Sequence, residues 1–125
     1  MAKEPEEWMK QAKYDMGAAK GMYDTRRYIY AIFMCHLCIE KALKGIYQKN
    51  IGEPPKVHNL IFFVEKLNLK MPEELFDFIY SLNQASVPTR YPEDLARMRT
   101  YYNKQRVNDM ISRTREALKW LKEKY

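Results

Sequence analysis

Residues 29–46, IYAIFMCHLCIEKALKGI, form the most regular stretch of the sequence. Apolar side chains recur there in alternating steps of three and four, and His36 falls in the same row. This spacing is typical of an amphipathic helix with one buried face. Asp24 or Thr25 is a suitable cap before it, and the two prolines of residues 52–55 end it. The pattern predicts a central helix over about residues 26–49.

Helix signals continue on both sides. Proline followed by two glutamates, and asparagine before an apolar stripe, are both typical helix starts. The predicted helices cover about residues 5–22, 26–49 and 59–68, a segment from Pro72 to near Ser86, and a last segment after Asn103. Residues 87–92, VPTRYP, are predicted to form a rigid irregular link. The sequence therefore predicts an all-α fold, an up-and-down bundle of four to five helices.

The composition fits a single domain over residues 1–125. The chain has a mass of 15.1 kDa, with 46% hydrophobic and 30% charged residues, which is ordinary for a globular protein. The net charge of +6 comes from the last quarter, where residues 95–125 carry 9 basic and 3 acidic side chains. Such a segment attracts phosphates or acidic proteins, or simply forms a solvated helix face.

The amino terminus, the longest apolar stretch and the two cysteines indicate the cellular compartment of the protein. The amino terminus, MAKEPEEW, is acidic and has no apolar core, so we expect no secretory signal and a cytoplasmic protein. The longest apolar stretch, residues 29–39, is shorter than the ~20 residues that span a bilayer. Cys35 and Cys38 flank His36 inside the central helix, far from the helix start that activates redox thiols. We expect them to pack in the core, with no metal and no cofactor.

Three ionisable residues of the central helix, His36, Glu40 and Lys44, follow one another in steps of four. One interpretation is an internal ion pair, from Glu40 to Lys44 or to Arg90, that fixes helix packing. The other makes this row one wall of an anion-binding or catalytic cleft completed by Arg90 and Tyr91. Arg90 lies between two prolines, which suits phosphate binding, although an arginine there also serves to bond helix-end carbonyls.

Two further patterns are weaker. Residues 57–60, VHNL, follow a proline turn, so His58 or Asn59 is predicted to cap the third helix. Downstream of Arg90, basic residues alternate with Tyr91, Tyr101 and Tyr102, a combination that can hold single-stranded nucleic acid.

Taken in order, residues 33–44 (FMCHLCIEKALK), 57–60 (VHNL) and 89–92 (TRYP) resemble the HEPN family of small helical domains. The resemblance covers nearly the whole chain. It implies a helical bundle that is usually a homodimer, has a nucleotide- or RNA-related function, and is often encoded beside a minimal nucleotidyltransferase as a two-component or toxin–antitoxin pair.

The resemblance also implies what to expect of catalysis. Many HEPN ribonucleases carry an arginine followed four to six residues later by a histidine, whereas both histidines of this chain, His36 and His58, precede Arg90. We therefore predict a binding module, in which Arg90 and Lys44 neutralise phosphate while Tyr91 and Glu40 contact the ligand. A metal-independent endoribonuclease using His36 or a tyrosine, and an assembly protein using its basic last helix, are the alternatives.

Dimerisation is predicted from surplus apolar surface. Residues 60–64, LIFFV, are apolar all around a short helix, and Ile29, Phe33 and Leu37 add a second apolar edge. A two-fold interface with a second copy would cover one such face.

Overall fold

Six α-helices make up the computed structural model, which describes residues 3–125. Met1 and Ala2, where the acidic amino terminus discussed above begins, lie outside the described residues. The helices are α1 (Pro5–Asp24), α2 (Tyr28–Asn50), α3 (Leu60–Lys66), α4 (Glu73–Arg90), α5 (Leu95–Tyr101) and α6 (Lys104–Lys124). Residues 3–125 contain no β-strand, so the predicted all-α helical bundle is confirmed, with six helices rather than four to five.

The centre of the bundle is α2, which packs against α1, α3, α4 and α6. Its apolar stripe is fully buried at Ile32, Ile39 and Leu43, as the periodicity predicts. Cys35 and Cys38 are free thiols within the same core, so the predicted packing role is confirmed. Burial raises the pKa of Cys35 to about 11 and raises that of Cys38 as well, which keeps both groups protonated at neutral pH.

Helices α1 and α2 form a tight hairpin. The indole N–H of Trp8 donates to the side-chain oxygen of Gln48 at 2.7 Å, and Lys41 pairs with Asp15 at 2.8 Å. At Gly45, an added Cβ would lie only 3.1 Å from the Cβ of Trp8, so the absence of a side chain permits this close approach.

The turn between α1 and α2 corrects one prediction. Neither Asp24 nor Thr25 caps α2: the Thr25 hydroxyl instead donates back to the Gly21 carbonyl at 3.0 Å and so ends α1. The residue preceding α2 is Arg27, and no side chain caps the helix there. Arg26 occupies the left-handed region at φ 63°, a conformation that costs a non-glycine residue about 1 kcal/mol.

A second prediction is wrong at residues 87–92. They do not form an irregular link, because α4 continues through Pro88 to Arg90. The proline removes one backbone donor from the helix. The buried hydroxyl of Thr89 donates to the Ala85 carbonyl, one turn earlier in the same helix, at 2.6 Å. The N–H of Tyr91 likewise bonds the carbonyl four residues before it at 2.9 Å. Arg90 is therefore the last residue of a helix rather than part of a loop.

The additional helix is α5, which the sequence pattern did not predict. The carboxylate of Asp94 caps it by accepting the N–H of Arg97 at 3.1 Å. None of its seven residues is buried, so it carries no apolar stripe that periodicity can detect.

The start of α3 is held by two asparagines. Asn59 accepts the N–H groups of Ile61 and Phe62 at 2.9 and 3.2 Å, and Asn83 of α4 accepts the N–H of Leu60 at 2.8 Å. Of the two predicted caps, Asn59 is the one used, which leaves the side chain of His58 free for another contact.

The apolar run of α3 is largely covered within the monomer. Leu60, Phe63 and Val64 are buried, and so is Ile29 of the second apolar edge. Phe33 and Leu37 are half-buried. Among the described helices, none is long and apolar enough to cross a membrane.

We predict that Asn59→Ala destabilises the protein by about 1 kcal/mol, because two helix-start N–H groups lose their acceptor. The free energy of unfolding in urea measures this change. The matched control is Asn108→Ala, at an exposed position inside α6, which should change stability by less than about 0.5 kcal/mol. Equal losses in the two variants would contradict the capping role.

Candidate functional site

A buried carboxylate, that of Glu40, lies at the centre of the candidate site. Its Oε2 atom is 3.0 Å from the Lys44 ammonium nitrogen and 2.9 Å from Nδ1 of His58. The Lys44 partner is one turn away on α2, whereas His58 comes from the segment before α3. The Glu40–Lys44 ion pair proposed from the sequence is therefore present, and it is extended by a histidine.

These contacts determine the ionisation of Glu40. Burial by itself raises the pKa of the Glu40 carboxyl, but the hydrogen bonds from His58 and Lys44 outweigh it and hold the pKa below its ordinary value. Glu40 is thus an anion at neutral pH. It fixes Nδ1 of His58 as the donor, which leaves Nε2 of that ring as an acceptor when the ring is neutral.

His36 lies beside the same carboxylate but behaves differently. Its ring is 1% exposed, and Nδ1 is 3.6 Å from Oε1 of Glu40, too long for a hydrogen bond. The pKa of His36 is lowered to about 4, mainly by burial; Arg90 and His58 act in the same direction, and the attraction of Glu40 opposes them. His36 is therefore neutral at physiological pH.

Lys44 is directed into the protein. Its side chain is 8% exposed, and its ammonium nitrogen lies 5.7 and 5.9 Å from the ring centroids of Trp8 and Phe63. The charge of Lys44 is therefore matched to Glu40 and enclosed by aromatic rings.

Unlike Lys44, Arg90 has no carboxylate partner within the described residues. Its guanidinium carbon lies 4.7 Å from the ring centroid of Phe33, so the group stacks on α2. Within residues 3–125, it pairs with no carboxylate, and its buried Nε atom has no hydrogen-bond partner. Phe33 lies about one turn before His36 on α2, so the stacked guanidinium is on the same helix as the Glu40 cluster, and its charge contributes to lowering the pKa of His36.

Tyr91 is directed elsewhere. It is 72% exposed and lines a separate open groove of about 510 Å³ together with Arg97 and Tyr101. Of the five residues singled out in the sequence, the structure joins Glu40 to Lys44 and places His36 beside them. Arg90 stacks on Phe33 of the same helix, and Tyr91 lies in a separate groove.

The contact between His58 and Glu40 is the feature that sequence reasoning missed. Eighteen residues and a proline turn separate the two side chains, and helix periodicity carries no information across a loop. One feature of the sequence does point to this contact. Asn59 is a preferred helix cap, so the adjacent His58 is not needed to cap α3 and is available for another partner. Within the part of the chain that the structure describes, no group of three or more His, Cys, Asp or Glu side chains is arranged to hold a metal ion.

With this geometry established, comparisons with known proteins identify the family. The HEPN domain family matches residues 5–124, so the chain belongs to the HEPN family. No curated protein matches significantly.

Two solved structures share the fold. TT1696 from Thermus thermophilus has a TM-score of 0.84 and 24% sequence identity, with 97% of this chain and 98% of that chain covered. ST0689, an archaeal HEPN homologue, has a TM-score of 0.76 and 27% identity, with 97% of each chain covered.

We predict that acidification destabilises the protein through His36. The unfolded chain takes up a proton at this residue below the ordinary pKa of 6.5, whereas the folded chain does so only near 4. Stability therefore falls as the pH falls through this window, by about 2 kcal/mol between pH 7.5 and pH 5. Glu40 contributes little there, because both pH values lie above the ordinary glutamate pKa of 4.5.

The measurement is the urea unfolding free energy of the wild type and His36→Met at the two pH values. The variant removes the titrating ring, so its stability should change less between pH 7.5 and pH 5; His36→Gln provides a second non-titrating variant. An identical pH dependence in all three proteins would contradict the role of His36.

Proposed function

We propose that this HEPN protein binds a phosphate-bearing ligand, a nucleotide or a segment of RNA, on the surface formed by Arg90 and His58. The observation that carries the proposal is the unmatched guanidinium of Arg90, stacked on Phe33 with a buried Nε that lacks a partner. A planar, oriented guanidinium offers paired donors that suit phosphate oxygens.

The balance of charge supports an anion. Glu40 and Lys44 cancel each other, and His36 is neutral. Arg90, which pairs with no carboxylate within residues 3–125, therefore leaves the site with a positive charge.

The five predicted residues then take distinct roles. Arg90 holds the phosphate, and Glu40 orients His58 toward it. Lys44 keeps Glu40 ionised from within the core, and neutral His36 forms the floor. Tyr91 extends the surface into its groove, where its exposed ring is available to stack on a base.

The proposed partner protein is inferred from the family and from the charge distribution. A separate nucleotidyltransferase partner, in a two-component or toxin–antitoxin arrangement, is consistent with the basic exposed face of α6, which includes Arg115, Lys119 and Lys122. The same face supports the alternative of a plain assembly protein. A homodimer stays part of the proposal, with half-buried Phe33 and Leu37 as apolar surface beside the site.

The test is a titration with ATP and with short single-stranded RNA at low and at physiological salt. Arg90→Gln should weaken binding about tenfold or more, since it removes a charge-assisted contact. Arg90→Lys should restore only part of the affinity, because it keeps the charge without the planar fork. RNA binding should weaken with salt more steeply than binding of ATP.

Arg115→Gln is the matched control, an exposed arginine of α6 outside the site. It lowers the net charge equally and should leave affinity within about twofold. No binding at low salt, or equal losses in the Arg90 and Arg115 variants, would overturn the proposal.

The contact between His58 and Glu40 favours a second candidate, a metal-independent endoribonuclease. A carboxylate bonded to Nδ1 of an exposed imidazole makes Nε2 a suitable general base. It would take the proton of a ribose 2′-hydroxyl that attacks the adjacent phosphorus; a 2′,3′-cyclic phosphate forms, the P–O5′ bond breaks, and the 5′-oxygen leaves with a proton from water. His58 is better placed for this than His36, which is buried and has a pKa of about 4.

If this second function holds, the protein cleaves RNA in the presence of EDTA, and His58→Gln lowers the rate about 100-fold or more. The assay follows fragment formation by gel, with Arg115→Gln as a control that retains full activity. RNA that stays intact after long incubation at high protein concentration would exclude cleavage and leave the binding proposal standing.

A further inference from the structure

A second cationic cavity lies apart from the Glu40 cluster, between the α1–α2 turn and α5. It has a volume of about 290 Å³. Arg26 and Arg27 enter it from the turn and Arg99 from α5, while Tyr30, Pro92 and Leu95 supply apolar wall.

The charge of this cavity is uncompensated. No Asp or Glu lines it, and its three arginines form no ion pair within residues 3–125. The carboxylates closest in sequence are engaged elsewhere: Asp24 pairs with Lys20 at 2.7 Å, Asp94 caps α5 through the N–H of Arg97, and Glu93 lines the groove that contains Tyr91. Three like charges around one cavity repel one another, and a bound anion removes that repulsion.

The beginning of α2 adds to the positive potential. Arg27 precedes the helix, no side chain caps it, and its first turn contains no acidic residue. The first N–H groups of this 23-residue helix, at Tyr28, Ile29 and Tyr30, therefore lack side-chain acceptors at the edge of the same cavity. A helix start of this kind favours anions through its N–H groups and its dipole.

The remaining wall is apolar and accessible. Leu95 is 57% exposed and Tyr30 is 54% exposed, and Pro92 also lines the cavity. An inorganic anion would leave this surface in contact with water. An anion attached to a flat or apolar body would cover it and gain hydrophobic contact.

We propose that this cavity binds a phosphate ester of an aromatic compound, with the phosphate on Arg26, Arg27 and Arg99 and the ring against Tyr30 and Leu95. The guanidinium groups and the start of α2 recognise the phosphate, and the apolar wall distinguishes an ester from free phosphate. This site does not depend on the function proposed for Arg90.

The experiment is isothermal titration of the full chain with 1-naphthyl phosphate, inorganic phosphate and 1-naphthol at low salt. We expect saturable binding of 1-naphthyl phosphate, about tenfold tighter than inorganic phosphate, and weaker at 0.5 M salt. Arg27→Gln and Arg99→Gln should each lower its affinity about tenfold or more. Tyr30→Ala should weaken the ester but not inorganic phosphate.

A control variant separates this site from the rest of the surface. Arg115→Gln should leave 1-naphthyl phosphate affinity within about twofold. Arg27, Arg99 and Arg115 are exposed, and circular dichroism checks that each variant is folded. The proposal is overturned by absence of saturable binding, by equal binding of ester and inorganic phosphate, or by an affinity that Arg27→Gln and Arg99→Gln lower no more than Arg115→Gln does.

Discussion

The buried carboxylate of Glu40 is the constraint on which the site depends. An unpaired charge in a protein interior costs several kcal/mol, so the fold must supply cations or hydrogen-bond donors within reach. It does so from two directions, with Lys44 one turn along α2 and His58 from the segment before α3. The hydrogen bond from His58 thereby fixes a loop against the central helix, which apolar packing alone does not do with the same directional precision. Removing the carboxylate would leave Lys44 buried without an anion.

This pairing also explains why the neighbouring groups differ in charge. His36 is as close in sequence to Glu40 as Lys44 is, yet it stays neutral, because burial and two nearby cations disfavour its protonated form. Arg90 pairs with no carboxylate within residues 3–125 and stacks on Phe33. The buried charges of Glu40 and Lys44 therefore neutralise each other, whereas the guanidinium of Arg90 has no anionic partner. Such a site has its buried charges paired and keeps one unpaired cation for a ligand.

The helices of this protein are encoded in local sequence periodicity, whereas some of the contacts between them are not. Periodicity located α2 and the faces of the long helices because burial repeats with the helical period. Proline statistics failed at Pro88, because α4 continues through it to Arg90 and Thr89 is buried in the bundle. Within the site, the spacing of His36, Glu40 and Lys44 was readable because all three share one helix, whereas the contact of Glu40 with His58 depends on how a loop returns.

Basic residues are distributed differently along the chain and in the folded structure. Composition places the basic excess in residues 95–125, where most arginines and lysines are spread along exposed helix faces and are solvated separately. Tertiary structure concentrates charge differently, since it brings Arg99 from that segment to Arg26 and Arg27 at the uncapped start of α2. Net charge along the chain is therefore a poor guide to where an anion binds. What matters is whether cations converge without a carboxylate among them, and in this bundle that convergence depends on the short helix α5, the element that leaves no periodic trace in the sequence.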